Sequence, residues 1–377
     1  MRTKEQDRKK VYFITGGGTG GHIYPALVVA NALKEQPNCD VFYIGNPKKP
    51  EAELAKSNGL KFLPVNITYM PRKIDLQIIF WLFRLAFACL KSMLYILKYK
   101  PDAVFATGGY VSAPALLASI VLSVPFMMHD GDAVPGIVTR KISPFAKCVS
   151  LTFEEAKKYV KNKNACSPGN PIREDFAKLD RSEARKLLNF PDNDKLILLV
   201  MGGSQGAKGI NNTIVELYKY LVETYNIGII HQTGAKNYDE VIEVLEKIYP
   251  EYKNNNSITV RPYFDNAAIV MKASDIAVSR AGSLSISELC ASGLASVLVP
   301  YPFAAANHQF KNAQAVEKEG AALCIEENEQ LKDNLKTALD RLIKDETYRN
   351  ELKASAQRLA KPNAKADMLK LLEEIAE

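Results

Sequence analysis

The densest chemistry in the sequence lies between Thr15 and His22. A strand-like run, Val11-Tyr12-Phe13-Ile14-Thr15, leads into Gly16-Gly17-Gly18-Thr19-Gly20-Gly21-His22, and a helical pattern starts near Ile23–Pro25. Glycine lets the backbone take positive φ and approach a ligand closely, and amides at a helix start point at an anion. Such a loop suits a phosphate. Gly16, Gly18 and Gly21 also satisfy the dinucleotide fingerprint, but the second strand ends Ile44-Gly45-Asn46 where that fold needs an acidic residue. Asp40 stands at the beginning of that strand instead. The expected ligand therefore carries phosphate without being NAD or FAD. His22 closes the loop, where an imidazole can serve as general base near neutral pH or simply hydrogen-bond an anion.

The device recurs. Ile197–Met201 runs into Gly202-Gly203-Ser204-Gln205-Gly206-Ala207, with a helix expected from about Ile210 and a Ser204 hydroxyl able to donate to a phosphate oxygen. A third corner, Gly108-Gly109-Tyr110, follows the strand Ala103–Ala106. One such pair can be a tight turn with no ligand. Three at the carboxyl ends of strands, where open α/β sheets bind ligands, point to binding. His129-Asp130-Gly131-Asp132 has two readings: hard oxygen ligands for a divalent ion, or an Asx-type turn capping the next helix. Late in the chain, Ser279–Glu288 follows another strand. Ser283 reads as an N-cap whose helix start suits an anion or a ribose, and Glu288 could accept from a ribose diol or be an ordinary helix carboxylate. His231 and His308 also fall at predicted loops, and His231 reads equally as a satisfied structural residue.

These corners need strands to hold them. Candidates are Val11–Thr15, Val41–Ile44, Phe62–Val65, Ala103–Ala106, Pro125–Met128 and Cys148–Leu151, then Leu196–Met201, Ile227–His231, Ser257–Val260, Ile276–Val278, Ala295–Val299 and Leu323–Ile325. Helical patterns separate them, which means right-handed βαβ crossovers and parallel sheets. A dozen strands in 377 residues suit two doubly wound domains. An eight-stranded barrel would repeat the glycine-rich start more than once. Ser167-Pro168-Gly169-Asn170-Pro171 reads as the linker, and 328–377 as helical apart from a break at Pro362. The expected division is 1–166, 167–361 and a final helix, 362–377, crossing back onto the first domain.

Six scattered cysteines with no CxxC pair argue against a zinc site or a disulfide framework. The run Val11–Ile14 is too short for a signal-peptide core, so the first domain is expected to stay in the cytosol. A net charge of +7 serves phosphates or anionic lipid equally well. No nucleic-acid partner is expected, because the one cluster of basic and aromatic residues lies on an apolar helix, residues 74–97. Charges interrupt that helix too often for a span. It reads either as a buried core helix or as a surface helix that dips Phe80, Trp81 and Phe83 into lipid. In the second reading Arg72, Lys73, Arg84, Lys91, Lys98 and Lys100 meet anionic headgroups.

Taken in order, several segments resemble the MurG family of glycosyltransferases over nearly the whole chain. They are Gly16–His22, Thr107–Ser112, Ala133-Val134-Pro135-Gly136, Gly169–Arg173, Gly202–Ala207, Ser279–Glu288, and His308-Gln309 with Asn312-Ala313. The resemblance implies a GT-B fold, α/β, with two Rossmann-like doubly wound domains facing each other across a cleft. It implies an inverting transfer of N-acetylglucosamine from UDP-GlcNAc to the 4-hydroxyl of MurNAc in lipid I (undecaprenyl-pyrophosphoryl-MurNAc-pentapeptide), forming lipid II. By motif matching, donor contacts fall on Thr19, Gly20, Gly21, Asp132, Arg173, Ser204, Phe264, Ser283, Leu284, Ser285, Ile286, Ser287, Glu288 and Gln309. The acceptor side falls on Gly108, Gly109 and Tyr110. His22 is the base candidate, with Asp130 the alternative. The implied partners are the two substrates and an anionic membrane surface, with the protein peripheral on the cytoplasmic face of the cell membrane. Where the family usually has His-Glu-Gln-Asn, this chain has His129-Asp130-Gly131-Asp132. No cofactor is required by the resemblance, but the extra carboxylate raises the expectation that a divalent cation assists. Two other activities stay open: transfer to another lipid such as diacylglycerol, and UDP-sugar epimerisation. The basic aromatic helix favours a lipid acceptor.

Overall fold

The computed structural model describes residues 8–71, 76–190 and 195–377. Arg72 and Lys73, named above, and residues 74–75 at the head of the apolar stretch lie outside those residues. The chain forms two compact units, Met1–Ile172 together with Asn363–Glu377, and Arg173–Pro362.

The first unit carries strands β1 (Lys10–Thr15), β2 (Cys39–Gly45), β3 (Lys61–Pro64), β4 (Ala103–Ala106), β5 (Phe126–Asp130), β6 (Cys148–Leu151) and β7 (Ala165–Cys166). Between them run helices α1 (Gly20–Glu35), α2 (Pro50–Ser57), α3 (Leu76–Tyr99), α4 (Ala113–Val121) and α5 (Ile137–Ile142). The sheet order is β3-β2-β1-β4-β5-β6-β7, parallel throughout. β1 and β4 are therefore neighbours although two strands separate them in sequence. That adjacency is the switch point, and it brings the loops after Thr15 and Ala106 side by side. Both faces of the sheet are covered, so its central strands are apolar end to end, as Tyr12, Phe13, Ile14 and Ala103–Ala106 show.

The second unit repeats the plan. Helices α6 (Asp175–Lys178) and α7 (Arg181–Leu187) precede β8 (Ile197–Met201), α8 (Lys208–Tyr225), β9 (Gly228–Gln232), α9 (Tyr238–Ile248) and β10 (Ile258–Arg261). Then follow α10 (Ala267–Ala273), β11 (Ile276–Ser279), α11 (Ser283–Ser292), β12 (Ala295–Leu298), α12 (His308–Lys318), β13 (Ala322–Cys324), α13 (Leu331–Lys344) and α14 (Glu346–Leu359). The order β10-β9-β8-β11-β12-β13 is again parallel, and β8 lies beside β11. Besides the break near Pro362, the tail breaks at Asp345, whose side chain caps α14 by accepting the Tyr348 amide at 2.9 Å.

The last helix, α15 (Ala364–Ile375), belongs to the first unit. Its Met368 and Leu372 are fully buried in the cluster that holds Tyr12, Ile14 and Phe105. The change of unit falls after Ile172 rather than at 166/167, because the expected linker is fastened into the first sheet. Asn170 is buried and its Oδ1 accepts from His129 Nε2 at 2.8 Å. The adjoining strand β7 escaped the sequence reading because it is two residues long and only half-buried.

α3 is not a core helix: Ala88, Ser92 and Ile96 are its only buried residues. By length and composition it could cross a membrane. An exposed row, Leu76, Phe80, Phe83, Phe87, Leu90, Leu94 and Leu97, recurs every three or four residues, with Phe80 73% and Phe87 71% exposed. Arg84, Lys91 and Lys98, each exposed and seven residues apart, edge that row. Trp81, expected in lipid, points the other way. Its Nε1–H donates to the Thr68 carbonyl at 2.9 Å and its ring packs on the core.

Candidate functional site

In the first unit the glycine loop spans the end of β1 and the start of α1. Its leading glycines serve the protein's own side chains. A Cβ on Gly16 would fall 1.9 Å from Thr107 Oγ1. Beneath the loop, the fully buried Glu51 accepts the Asn46 amide at 3.3 Å and the Gly18 amide at 3.4 Å, and Tyr43 donates its hydroxyl to the Gly16 carbonyl at 2.6 Å. With a carboxylate beneath it, this half of the loop is no anion cradle. The part suited to an anion is its end: Thr19 is the extended N-cap of α1, and the amides of Gly20 and Gly21 head that helix.

His22 stands in the first turn of α1 against the corner after β4. Its Nδ1–H donates to the Thr107 carbonyl at 2.7 Å, which leaves Nε2 as the nitrogen with a lone pair. The ring lies along Gly108 and Gly109, and the Tyr110 ring contacts Tyr69 with centroids 3.9 Å apart. The switch point thus brings together His22, Thr19–Gly21 and Gly108–Tyr110, drawn from two separate sequence motifs.

The His129–Asp132 segment is structural at its first two residues. Both finish β5 and are buried. His129 donates from Nε2 to Asn170 and accepts the Ser150 hydroxyl at Nδ1, 2.9 Å, and burial lowers its pKa to about 4, so the ring stays neutral. The Asp130 carboxylate accepts the Asp132 amide at 3.2 Å and the Gly136 amide at 3.0 Å, Gly136 being the N-cap of α5. This is the Asx-turn reading. Burial, and then the neighbouring Asp132, push the Asp130 carboxyl above the usual carboxylate range. Oxygens engaged by amides do not fit a divalent cation, and no group of three or more candidate ligands occurs among the described residues. As base, too, the buried Asp130 is less well placed than His22.

In the second unit the loop after β8 carries Ser204 exposed at its tip. Gly206 has φ +73° and a Cβ there would fall 1.9 Å from the Thr233 carbonyl, so only glycine closes this turn. Gln232, which the sequence reading missed, joins two candidate donor segments: its Nε2 donates to the Gly203 carbonyl at 3.1 Å and its Oε1 accepts the Phe264 amide at 3.0 Å. The Phe264 ring is buried, with the Arg261 guanidinium 5.6 Å from its centre, so backbone rather than ring is what this residue can offer. His231 is a core residue, bonded to Tyr218 and Asn211.

Ser283 is the first residue of α11, not its cap. Gly282 is the N-cap, and no side chain caps the helix. Leu284, Ser285 and Ser287 are half-buried, while Ile286 packs into the core. Ser287 donates to the Ser283 carbonyl at 3.0 Å. Glu288 is half-buried, and its pKa is raised to about 7 by burial, with Arg173 opposing. Arg173 is exposed and donates to the Asp265 carbonyl at 3.4 Å. Gln309 Oε1 accepts the Tyr301 amide at 3.0 Å, and His308 Nδ1 donates to the Ala305 carbonyl at 2.8 Å. Arg280, pairing with Glu327 and donating to the Val299 and Pro300 carbonyls, stiffens the loops around these residues.

Comparison with known proteins agrees with the two-unit fold. Residues 12–151 match the glycosyltransferase family 28 N-terminal domain, and residues 197–371 the family 28 C-terminal domain. The chain is 34% identical over 365 residues to the UDP-N-acetylglucosamine–N-acetylmuramyl-(pentapeptide) pyrophosphoryl-undecaprenol N-acetylglucosamine transferase of Halothermothrix orenii, covering 96% of this chain and 98% of that one. It is 35% identical, with the same coverage, to the protein so named in Desulforamulus reducens. The crystal structure of Acinetobacter baumannii MurG superposes with a TM-score of 0.77 at 27% identity, covering 97% of this chain and 99% of that one. The chain belongs to the MurG family.

The MurG family fold is therefore the GT-B fold expected from the motifs, two parallel-sheet α/β domains. UDP-GlcNAc 2-epimerase from Neisseria meningitidis, bound to UDP-GlcNAc, shares only that fold, with a TM-score of 0.68 at 15% identity over 97% of this chain and all of that one.

Proposed function

We propose that this MurG-family protein transfers N-acetylglucosamine from UDP-GlcNAc to the 4-hydroxyl of MurNAc in lipid I, forming lipid II with inversion at the anomeric carbon. The observation that carries the reading is His22, held by Nδ1 so that Nε2 is free to take a proton. In the step, Nε2 takes the proton of the 4-hydroxyl, O4 bonds to the anomeric carbon, and the bond to the UDP oxygen breaks. The acceptor sugar docks beside Gly108, Gly109 and Tyr110.

The second unit holds the donor. Amides at the start of α11, the Ser204 loop and Arg173 offset charge on the departing diphosphate. Glu288, once ionised, accepts the ribose hydroxyls, and the Phe264 backbone and Gln309 border the nucleoside. α3 binds an anionic membrane surface, its exposed aromatic and leucine row in the acyl boundary and Arg84, Lys91 and Lys98 at the headgroups. The protein is then peripheral, on the cytoplasmic face where lipid I is presented.

Radiolabelled UDP-GlcNAc with a short-chain lipid I analogue tests the reaction. Label moving to the analogue is expected, and a His22→Ala enzyme should lose at least about a hundredfold in rate. Transfer to diacylglycerol alone, or isomerisation of the UDP-sugar alone, would overturn the assignment. An epimerase has no use for a lipid-facing α3, which is why that second reading ranks below.

A further inference from the structure

Thr107 meets His22 twice. The His22 ring donates Nδ1–H to the Thr107 carbonyl at 2.7 Å, and the Thr107 hydroxyl donates to the His22 carbonyl at 2.6 Å. The two bonds run in opposite senses. One fixes which ring nitrogen carries the proton, and the other ties down the peptide from which the ring projects. Thr107 is itself buried and anchored, its amide donating to the Thr15 carbonyl at 2.9 Å. The space for its hydroxyl exists because Gly16 has no side chain, a Cβ there falling 1.9 Å from Thr107 Oγ1. On the other side the ring rests on Gly109, where a Cβ would lie 3.1 Å from His22 Cδ2.

The hydroxyl is not needed to satisfy the helix. His22 lies inside α1, where the regular helix pattern offers each carbonyl an amide one turn on. What sets this hydroxyl apart from the others that donate to helix carbonyls, such as Ser92 and Ser119, is its long-range partner: it joins the corner after β4 to the residue whose ring the same threonine already holds. A base histidine is commonly oriented by a carboxylate, which also strengthens it. Here a neutral backbone carbonyl does the orienting, so direction depends on how firmly the two loops are joined.

We infer that Thr107 is a positioning residue that holds His22 in the tautomer with a bare Nε2 and aims that nitrogen at the acceptor hydroxyl. The inference rests on the reading of His22 as the base. The test uses full-length protein with 15N-labelled histidine, whose four histidines are few enough to assign with a His22→Gln control. Wild type should show one protonated and one bare ring nitrogen at His22. Thr107→Val keeps the shape and the backbone carbonyl but removes the hydroxyl tie. With the two loops less firmly joined the Nδ1–H bond to the carbonyl loosens, so the two ring signals should draw toward each other and kcat should fall about tenfold with both KM values within about twofold. Thr107→Ser should restore both. If the valine variant fails to fold, Thr107→Ala, which only removes atoms, gives the same comparison. Unchanged ring signals or unchanged kcat in both variants would overturn the inference. Full turnover by His22→Gln would instead overturn the base reading, while the ring signals still decide whether Thr107 sets the tautomer.

Discussion

Glu288 carries a pH dependence that can be worked through from its surroundings. Its pKa is raised from 4.5 to about 7, chiefly because burial disfavours the charged form, with the Arg173 charge pulling the other way. A group that holds its proton more tightly in the folded state stabilises the fold below its unfolded pKa, and that contribution is lost as pH rises through about 7. At 1.36 kcal/mol per unit, the shift corresponds to about 3 kcal/mol at most, since the side chain is only half-buried by area. Glu288→Gln removes the titration, so the variant should gain on wild type as pH rises from 5 to 8, by up to about 3 kcal/mol in urea unfolding. Donor binding should run the other way. If the ionised carboxylate accepts the ribose hydroxyls, UDP-GlcNAc should bind wild type about tenfold more weakly at pH 6 than at pH 8 by calorimetry. Glu288→Gln should bind more weakly overall but without that slope. A stability difference independent of pH, or the same affinity slope in both proteins, would refute the reasoning.

Phe83→Ser with Phe87→Ser on α3 should abolish co-sedimentation with anionic vesicles and leave Tm within about 2 °C, since both rings face outward. Trp81→Ala should instead lower stability, read by denaturant unfolding, because its ring packs on the core and its N–H is bonded to Thr68. Asp275→Asn should cost about 3–5 kcal/mol in urea unfolding, because Arg185, fully buried and paired with Asp275 at 3.0 Å, is left as an uncompensated charge. Gly16→Ala should impair folding or activity through its clash with Thr107 Oγ1, and adding Thr107→Ala should recover only part of the lost Tm, because the His22 carbonyl still lies 2.9 Å from the new Cβ, which a thermal melt of the double variant checks.

The two-domain plan was legible because each strand is a short apolar run bounded by glycine or a helix, and a parallel sheet buried on both faces enforces that pattern. β7 had no such run to show. The site was legible where chemistry requires a residue type at a loop, as at His22, Gly108–Gly109 and Ser204. It was opaque where a long-range partner decides the role. Nothing near Gly16 in sequence reveals that Thr107 fills its space, and nothing near Gly203 reveals that Gln232 holds it. Asp130 and Asp132 looked like a ligand pair because spacing alone cannot show that backbone amides take up the first carboxylate. Trp81 was misplaced because apolar residues occur on every side of α3, and only packing distinguishes the side seated on the core from the side left bare.

The return of α15 to the first unit makes the second unit an insertion within the first. During synthesis the seven-stranded sheet must wait, the face that carries Tyr12 and Ile14 covered by α1 but not yet by Met368 and Leu372, while about 190 further residues are made. At ordinary elongation rates the delay is about 10 to 40 s. Arg173–Pro362 has all its residues while its predecessor is still missing a wall, and a released chain that stops just short of α15 should display a finished second unit beside a protease-sensitive first one.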